Sequence, residues 1–99
     1  SVKMMLEEFK ERSKIVVDGF NAINGISCIQ PKGAFYAFPN IKNTGYKSQE
    51  LSDALLNQGV AVLPGTSFGK FGEGYLRISF ANSRDNLKKA LNIIKEFLD

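Results

Sequence analysis

Arg77 stands in the middle of "GEGYLRISFANS", residues 72–83, a segment that otherwise reads as an apolar strand. With a period of two, Tyr75, Arg77, Ser79 and Ala81 share one face, and Leu76, Ile78 and Phe80 share the other. The apolar face can pack under helices. The opposite face carries a guanidinium flanked by a phenol and a hydroxyl, and it needs either solvent or an anion. Spacing alone is satisfied by an arginine that points to water. The functional reading is a carboxylate clamp, because a planar guanidinium makes two parallel charge-assisted bonds that set both the position and the plane of a small acid.

Two other stretches invite a chemical reading. "GTSFGKF" looks like a phosphate-binding P-loop, but Gly65 and Gly69 are separated by three residues where that loop needs four, and Phe71 follows Lys70 where Ser or Thr must reach magnesium. The loop also leads into a strand, so no helix N-terminus faces a phosphate. "KGAFYAF", residues 32–38, has the flavour of the basic-glycine-aromatic strand of RNA-binding domains, the alternative function from a different class. Base stacking needs aromatics two apart on the solvent face, whereas Phe35 falls on one face and Tyr36 and Phe38 on the other.

Composition narrows the remaining chemistry. The chain has 99 residues, 43% hydrophobic and 23% charged, which suits one soluble domain with a modest core. There is no histidine and one cysteine, Cys28, so an internal disulfide, a zinc set and histidine acid-base catalysis are all excluded within the chain, and no metal is expected. The formal charge of +3 is spread along the sequence and forms no nucleic-acid patch. No apolar run approaches the ~20 residues that span a bilayer. No membrane partner is expected, and the protein reads as cytoplasmic.

The elements that must position Arg77 follow from periodicity. Met5, Phe9, Val16, Phe20 and Ile23 recur at helical spacing from Val2 to about Asn24, where Asn24-Gly25 supplies a left-handed stop. Such a helix is a rod of about 33 Å, against a radius of gyration of about 13 Å for a compact globule of this length. Its first turns, with Met4, Met5 and Leu6, therefore outreach the core this chain can build, and the sequence reads as a piece of something larger. "ISCIQ" and "AFYAFPNI", separated by "PKG", are expected to form a hairpin. Ser48 is expected to cap a helix to about Gln58, with Leu51, Ala54 and Leu55 inward and Gly59 ending it. "VAVL" reads as a short buried strand, "YLRISFA" as the last strand, and Asn82 or Ser83 caps a helix that buries Leu87, Leu91, Ile94 and Leu98. The order is α-β-β-α-β-β-α: one α/β domain, a small open sandwich with helices on a mostly antiparallel sheet.

Taken together, "PKGAFYAFPNI", "GVAVLPGTSFG" and "GYLRISFANS", preceded by the helix "ERSKIVVDGFNAINGI", resemble the C-terminal small domain of class I aminotransferases, pyridoxal-phosphate enzymes of fold type I akin to aspartate aminotransferase. The likeness covers nearly the whole chain. It implies that residues 1–99 are one domain of a larger enzyme, that residues 1–24 form an interdomain helix, and that Arg77 binds the α-carboxylate of an amino-acid substrate. It also matches Phe35 to an aromatic near the substrate pocket, and "PGTSFG" to the loop beside it. The family's cofactor-binding lysine, its aspartate and its phosphate cup match nothing here, so the resemblance implies a missing large domain that holds pyridoxal phosphate. No catalytic or cofactor-binding residue is expected in this chain, which alone should be inactive and bind no cofactor. The implied parent moves an amino group between an amino acid and a 2-oxo acid as a homodimer, although lyase and synthase reactions occur on the same fold.

Overall fold

The computed structural model describes residues 2–30 and 35–99. Three helices, α1 (Val2–Asn21), α2 (Ser48–Asn57) and α3 (Arg84–Leu98), accompany three short strands, β1 (Tyr36–Ala37), β2 (Leu63–Pro64) and β3 (Leu76–Ser79). The strands lie in the order β1-β3-β2 with β3 antiparallel to both neighbours. Tyr36 is opposite Ser79 and Leu63 is opposite Arg77. This is the expected α/β sandwich, with a radius of gyration of 13.0 Å and a long axis of 41 Å.

One apolar cluster joins the helices to a single face of the sheet. Leu76, Ile78 and Phe80 are buried in it with Val16 and Phe20 of α1, Leu51 and Leu55 of α2, and Leu87, Leu91 and Ile94 of α3. The α1 and α3 axes approach closely at Gly19, where a Cβ would stand 2.5 Å from Leu91 Cδ1. A mid-helix glycine weakens α1 locally; here it opens the notch that Leu91 fills.

Two expected strands take a different form. Of "ISCIQ", only Ser27 joins a ladder, as an isolated antiparallel bridge to Asn40. The reason is a side chain acting as backbone: Asn21 Oδ1 accepts from Cys28 N at 2.8 Å and Asn21 Nδ2 donates to Cys28 O at 2.9 Å. Gln30 Nε2 then donates to Ser13 Oγ at 2.6 Å. This segment is fastened to α1 through side chains, so a longer ladder is not needed to satisfy it. The "PKG" of the expected hairpin lies outside the described residues. In "VAVL" only Val60 is fully buried, and pairing begins at Leu63.

The helix ends differ from expectation at two places: α1 stops at Asn21, short of the expected Asn24, and α2 is capped differently. Ser83 caps α3, accepting from Asn86 N at 3.1 Å as its sequence position suggests. Ser48, however, is the first residue of α2 and not its cap. Glu73, distant in sequence, takes the cap's role: its Oε2 accepts from Ser48 N at 2.9 Å and from Gly74 N at 2.7 Å. These two backbone donors hold the Glu73 carboxyl below its ordinary pKa.

A second carboxylate ties the outer ends of α1 and α3. Glu8 accepts from Arg84 Nε at 3.0 Å and from Arg84 Nη2 at 2.7 Å, and also from Arg12 Nε at 2.9 Å. Bonding to Arg84, and next to Arg12, pulls the Glu8 carboxyl down to about 2 from 4.5. A carboxylate whose pKa is lower in the fold than in the unfolded chain contributes stability above its unfolded value, and that contribution fades as pH falls through the folded one. The thermal unfolding midpoint of the chain should therefore drop between pH 4.5 and about 2, and Glu8→Gln should flatten part of that fall. An unchanged profile in the variant would show that this pair is thermodynamically silent.

Cys28 lies in the core, and burial pushes its thiol up to about 11 from 9.0, against a smaller opposing effect of the Phe38 backbone. A rise of that size lowers the thiolate population at neutral pH about a hundredfold. A disulfide reagent should accordingly modify the folded chain slower than the same chain in denaturant by about a hundredfold or more. Equal rates would mean that Cys28 is open to solvent.

Candidate functional site: an arginine clasped by aromatic rings

Burying Leu76, Ile78 and Phe80 leaves the alternate residues of β3 on the face that no helix covers. Arg77 stands there at the centre of the sheet, half-buried. Its Cζ lies 4.3 Å from the ring centroid of Tyr36, on neighbouring β1, and 4.2 Å from that of Phe68. Phe68 ends a 3-10 turn, Gly65–Phe68, that follows β2. Phe38 meets Phe68 edge to face, with centroids 6.5 Å apart and planes at 86°. The guanidinium is thus clasped from both flanks of β3 by π-faces, which attract a cation.

Among the described residues the Arg77 side chain has no carboxylate partner and no hydrogen bond, its backbone being spent in the ladder with Leu63. The five N–H donors of a guanidinium lie in its plane, so ring contacts leave them unspent. Beside it lies an open hollow of about 150 Å³ lined by Tyr36, Val62, Leu63, Arg77 and Ser79. Larger hollows exist, about 510 Å³ near Asn24 and Asn43, about 390 Å³ along α3 and about 340 Å³ between Glu8 and Arg84. None of these includes Arg77, and chemistry rather than size singles out the smaller one: an arginine with free in-plane donors can take a carboxylate edge-on in a bidentate fork.

The two residues assigned from sequence do not meet. Phe35 is 41% exposed and lies on the core side of the sheet. Its ring centroid is 5.3 Å from Phe9 and 5.7 Å from Phe80, and its carbonyl accepts from Phe80 N at 2.8 Å. The aromatics at Arg77 are instead Tyr36 and Phe68. Tyr36 could have been found, because it shares the parity of the solvent face. Phe68 could not, since its approach depends on how the loop folds. For the RNA-like run, Lys32, Gly33 and Ala34 lie outside the described residues; Tyr36 and Phe38 are engaged with Arg77 and Phe68 respectively.

The glycine-rich loop is a packed turn. A Cβ at Gly65 would run into the carbonyl oxygens of Gly72 and Tyr75, and one at Gly72 would run into the carbonyl of Gly65. Gly65 N donates to Tyr75 O at 2.7 Å, which pins the loop to the start of β3. Two backbones in contact leave no room for a phosphate between them. Lys70 extends over Phe71, its Nζ 5.3 Å from the ring centroid.

An antiparallel sheet with helices on one face, and a guanidinium with free donors on the other, defines an α/β domain able to receive a small carboxylate. Comparison with known proteins places it more closely. The family described as aminotransferase class I and II matches residues 1–94. Aspartate aminotransferase of Pyrococcus horikoshii is 48% identical over 100 residues, covering 100% of this chain and 26% of that protein. A putative aminotransferase of Bacillus subtilis, YugH, is 46% identical over 98% of the chain and 25% of its own length. The crystal structure of an aromatic aminotransferase from Pyrococcus horikoshii superposes with a TM-score of 0.92 at 42% identity, over 98% of this chain and 26% of that one. This chain belongs to the class I and II aminotransferase family, and it spans about a quarter of the length of the relatives it matches.

The cofactor that this family implies, pyridoxal phosphate, does not fit the described residues. A lysine that condenses with a carbonyl must be available as the free amine, which burial or a neighbouring cation provides. Every described lysine is exposed, and the loop that most resembles a phosphate cradle is filled by its own backbone.

Because Gly65 and Gly72 touch backbone to backbone, Gly65→Ala should force the loop away from β3. Overpacking of this kind costs on the order of 3 kcal/mol, readable as a lowered denaturation midpoint with an unchanged slope. A variant of wild-type stability would mean that the loop has room to give.

Proposed function

We propose that the chain is the C-terminal small domain of a pyridoxal-phosphate-dependent aminotransferase, whose longer form moves an amino group between an amino acid and a 2-oxo acid, and that Arg77 binds the substrate α-carboxylate. Family membership supports the reaction class. The observation that carries the role of Arg77 is its guanidinium, clasped by two rings with its in-plane donors unspent. In this reading the cofactor and the residues that hold it belong to the remainder of the longer protein, and the chain by itself is inactive. In this reading the interdomain element assigned to residues 1–24 is built on α1, Val2–Asn21. The first turns of α1 suit that role, with Val2 74%, Met5 67% and Leu6 57% exposed on a helix otherwise buried at Val16, Val17 and Phe20. The longer protein acts as a homodimer in the cytoplasm; no described helix is long and apolar enough to cross a membrane.

What the chain contributes is binding and orientation. Two parallel N–H bonds hold both carboxylate oxygens, so the acid is fixed in the plane of the guanidinium and its α-carbon is held at one angle to it. Proton movement at that carbon then needs a base at one position only. Phe35, on the core side with Phe9 and Phe80, would act on the substrate only through the packing of the sheet.

Arg77→Lys in the full-length protein keeps the charge and removes the fork. Losing a bidentate charged contact in a water-poor site should cost on the order of 3 kcal/mol, about a hundredfold in kcat/KM, while pyridoxal-phosphate content is unchanged. An unaltered kcat/KM for every accepted amino acid would return Arg77 to a solvent-facing role. Loss of the cofactor instead would assign it elsewhere.

A further inference from the structure

We infer that Phe68 and Tyr36 are positioning residues for Arg77, holding the plane of its guanidinium so that its free edge, and not its face, meets an incoming carboxylate. The inference rests on the reading of Arg77 given above and adds to it the means by which a flexible side chain acquires one orientation. An arginine side chain has several rotatable bonds, and ordering it from a free ensemble opposes binding. Ordinarily an acidic neighbour would fix it. Here no described carboxylate does so, and such a neighbour would compete with the ligand for the same donors.

Two ring faces do the job without competition. A guanidinium stacked on a ring is attracted through its face and keeps its in-plane N–H groups available. The Tyr36 and Phe68 centroids, 4.3 and 4.2 Å from Cζ, are both close enough for stacking. Each ring is itself held from a different element. Tyr36 is fixed by its register opposite Ser79 in the sheet. Phe68 is fixed by the Gly65–Gly72 backbone contact beneath its turn and by Phe38 at its edge. An error in either support tilts the plane that the carboxylate must match.

The test uses the full-length enzyme loaded with pyridoxal phosphate, and compares Phe68→Leu with Phe68→Tyr and Tyr36→Leu with Tyr36→Phe. Leucine keeps apolar bulk and loses the ring face; the aromatic substitutions keep the face. Each leucine variant should raise KM for the amino-acid donor about fivefold, the order expected for one stacked cation, with a smaller change in kcat. Each aromatic variant should stay within about twofold. A readout independent of turnover is calorimetric binding of a non-reacting acid, 3-phenylpropionate, which should weaken by the same factor in the leucine variants only. If a leucine variant at one position fails to fold, the pair at the other position decides.

Arg77→Lys separates the two readings. A large loss in Arg77→Lys together with leucine variants that match wild type would overturn the positioning role and leave the carboxylate role standing. Leucine and aromatic variants equally impaired would overturn it too, because shape and not the ring face would then matter. No effect of Arg77→Lys would overturn both.

Discussion

The alternation along β3 is the constraint on which everything else hangs. Leu76, Ile78 and Phe80 must leave water, and a strand can satisfy them only by turning Arg77 and Ser79 the other way. All three helices collect on the apolar side, in one cluster with residues from every strand-bearing segment. The face that remains is bare of helices and is where a charged group can stand without a buried partner. Burial on one side thus decides which residues stand on the other, and a one-residue shift of register would exchange them.

Long-range contacts then refine that surface. The strands are only two to four residues long, too short to be rigid alone. Side chains and loops complete the ladder: Asn21 bonds to both backbone groups of Cys28, and Glu73 bonds to the amides of Ser48 and Gly74. Glu73 matters doubly, since it joins the start of α2 to the chain immediately before β3. The glycine-rich loop is drawn to the same place by Gly65 N on Tyr75 O, which brings Phe68 over Arg77. A glycine run that looks like a flexible phosphate loop is here a device for bringing two backbones into contact.

The family relationship explains why such a domain need not be self-sufficient. The chain matches about a quarter of the length of its relatives, and its described residues offer an arginine with free donors but no seat for the cofactor. In the proposed reading the groups that orient the substrate stand on one body and the groups that change its bonds on another. Holding the reacting bond at one angle can supply a large part of a rate enhancement.

Along the chain alone, periodicity and turn chemistry already specified the three helices, the one-sided burial of the last strand and the placement of Arg77 on its opposite face, and three ordered blocks pointed to the family. Neighbouring residues impose such patterns on one another directly. Packing in three dimensions was needed to put Asn21 in the place of a strand partner for Cys28, Glu73 rather than Ser48 at the start of α2, and Phe68 against Arg77. Each of those contacts joins groups that come together only after the core has formed, so no local pattern encodes them: Phe35 and Tyr36 are adjacent in sequence, yet pleating sends one ring to the core and the other to the arginine.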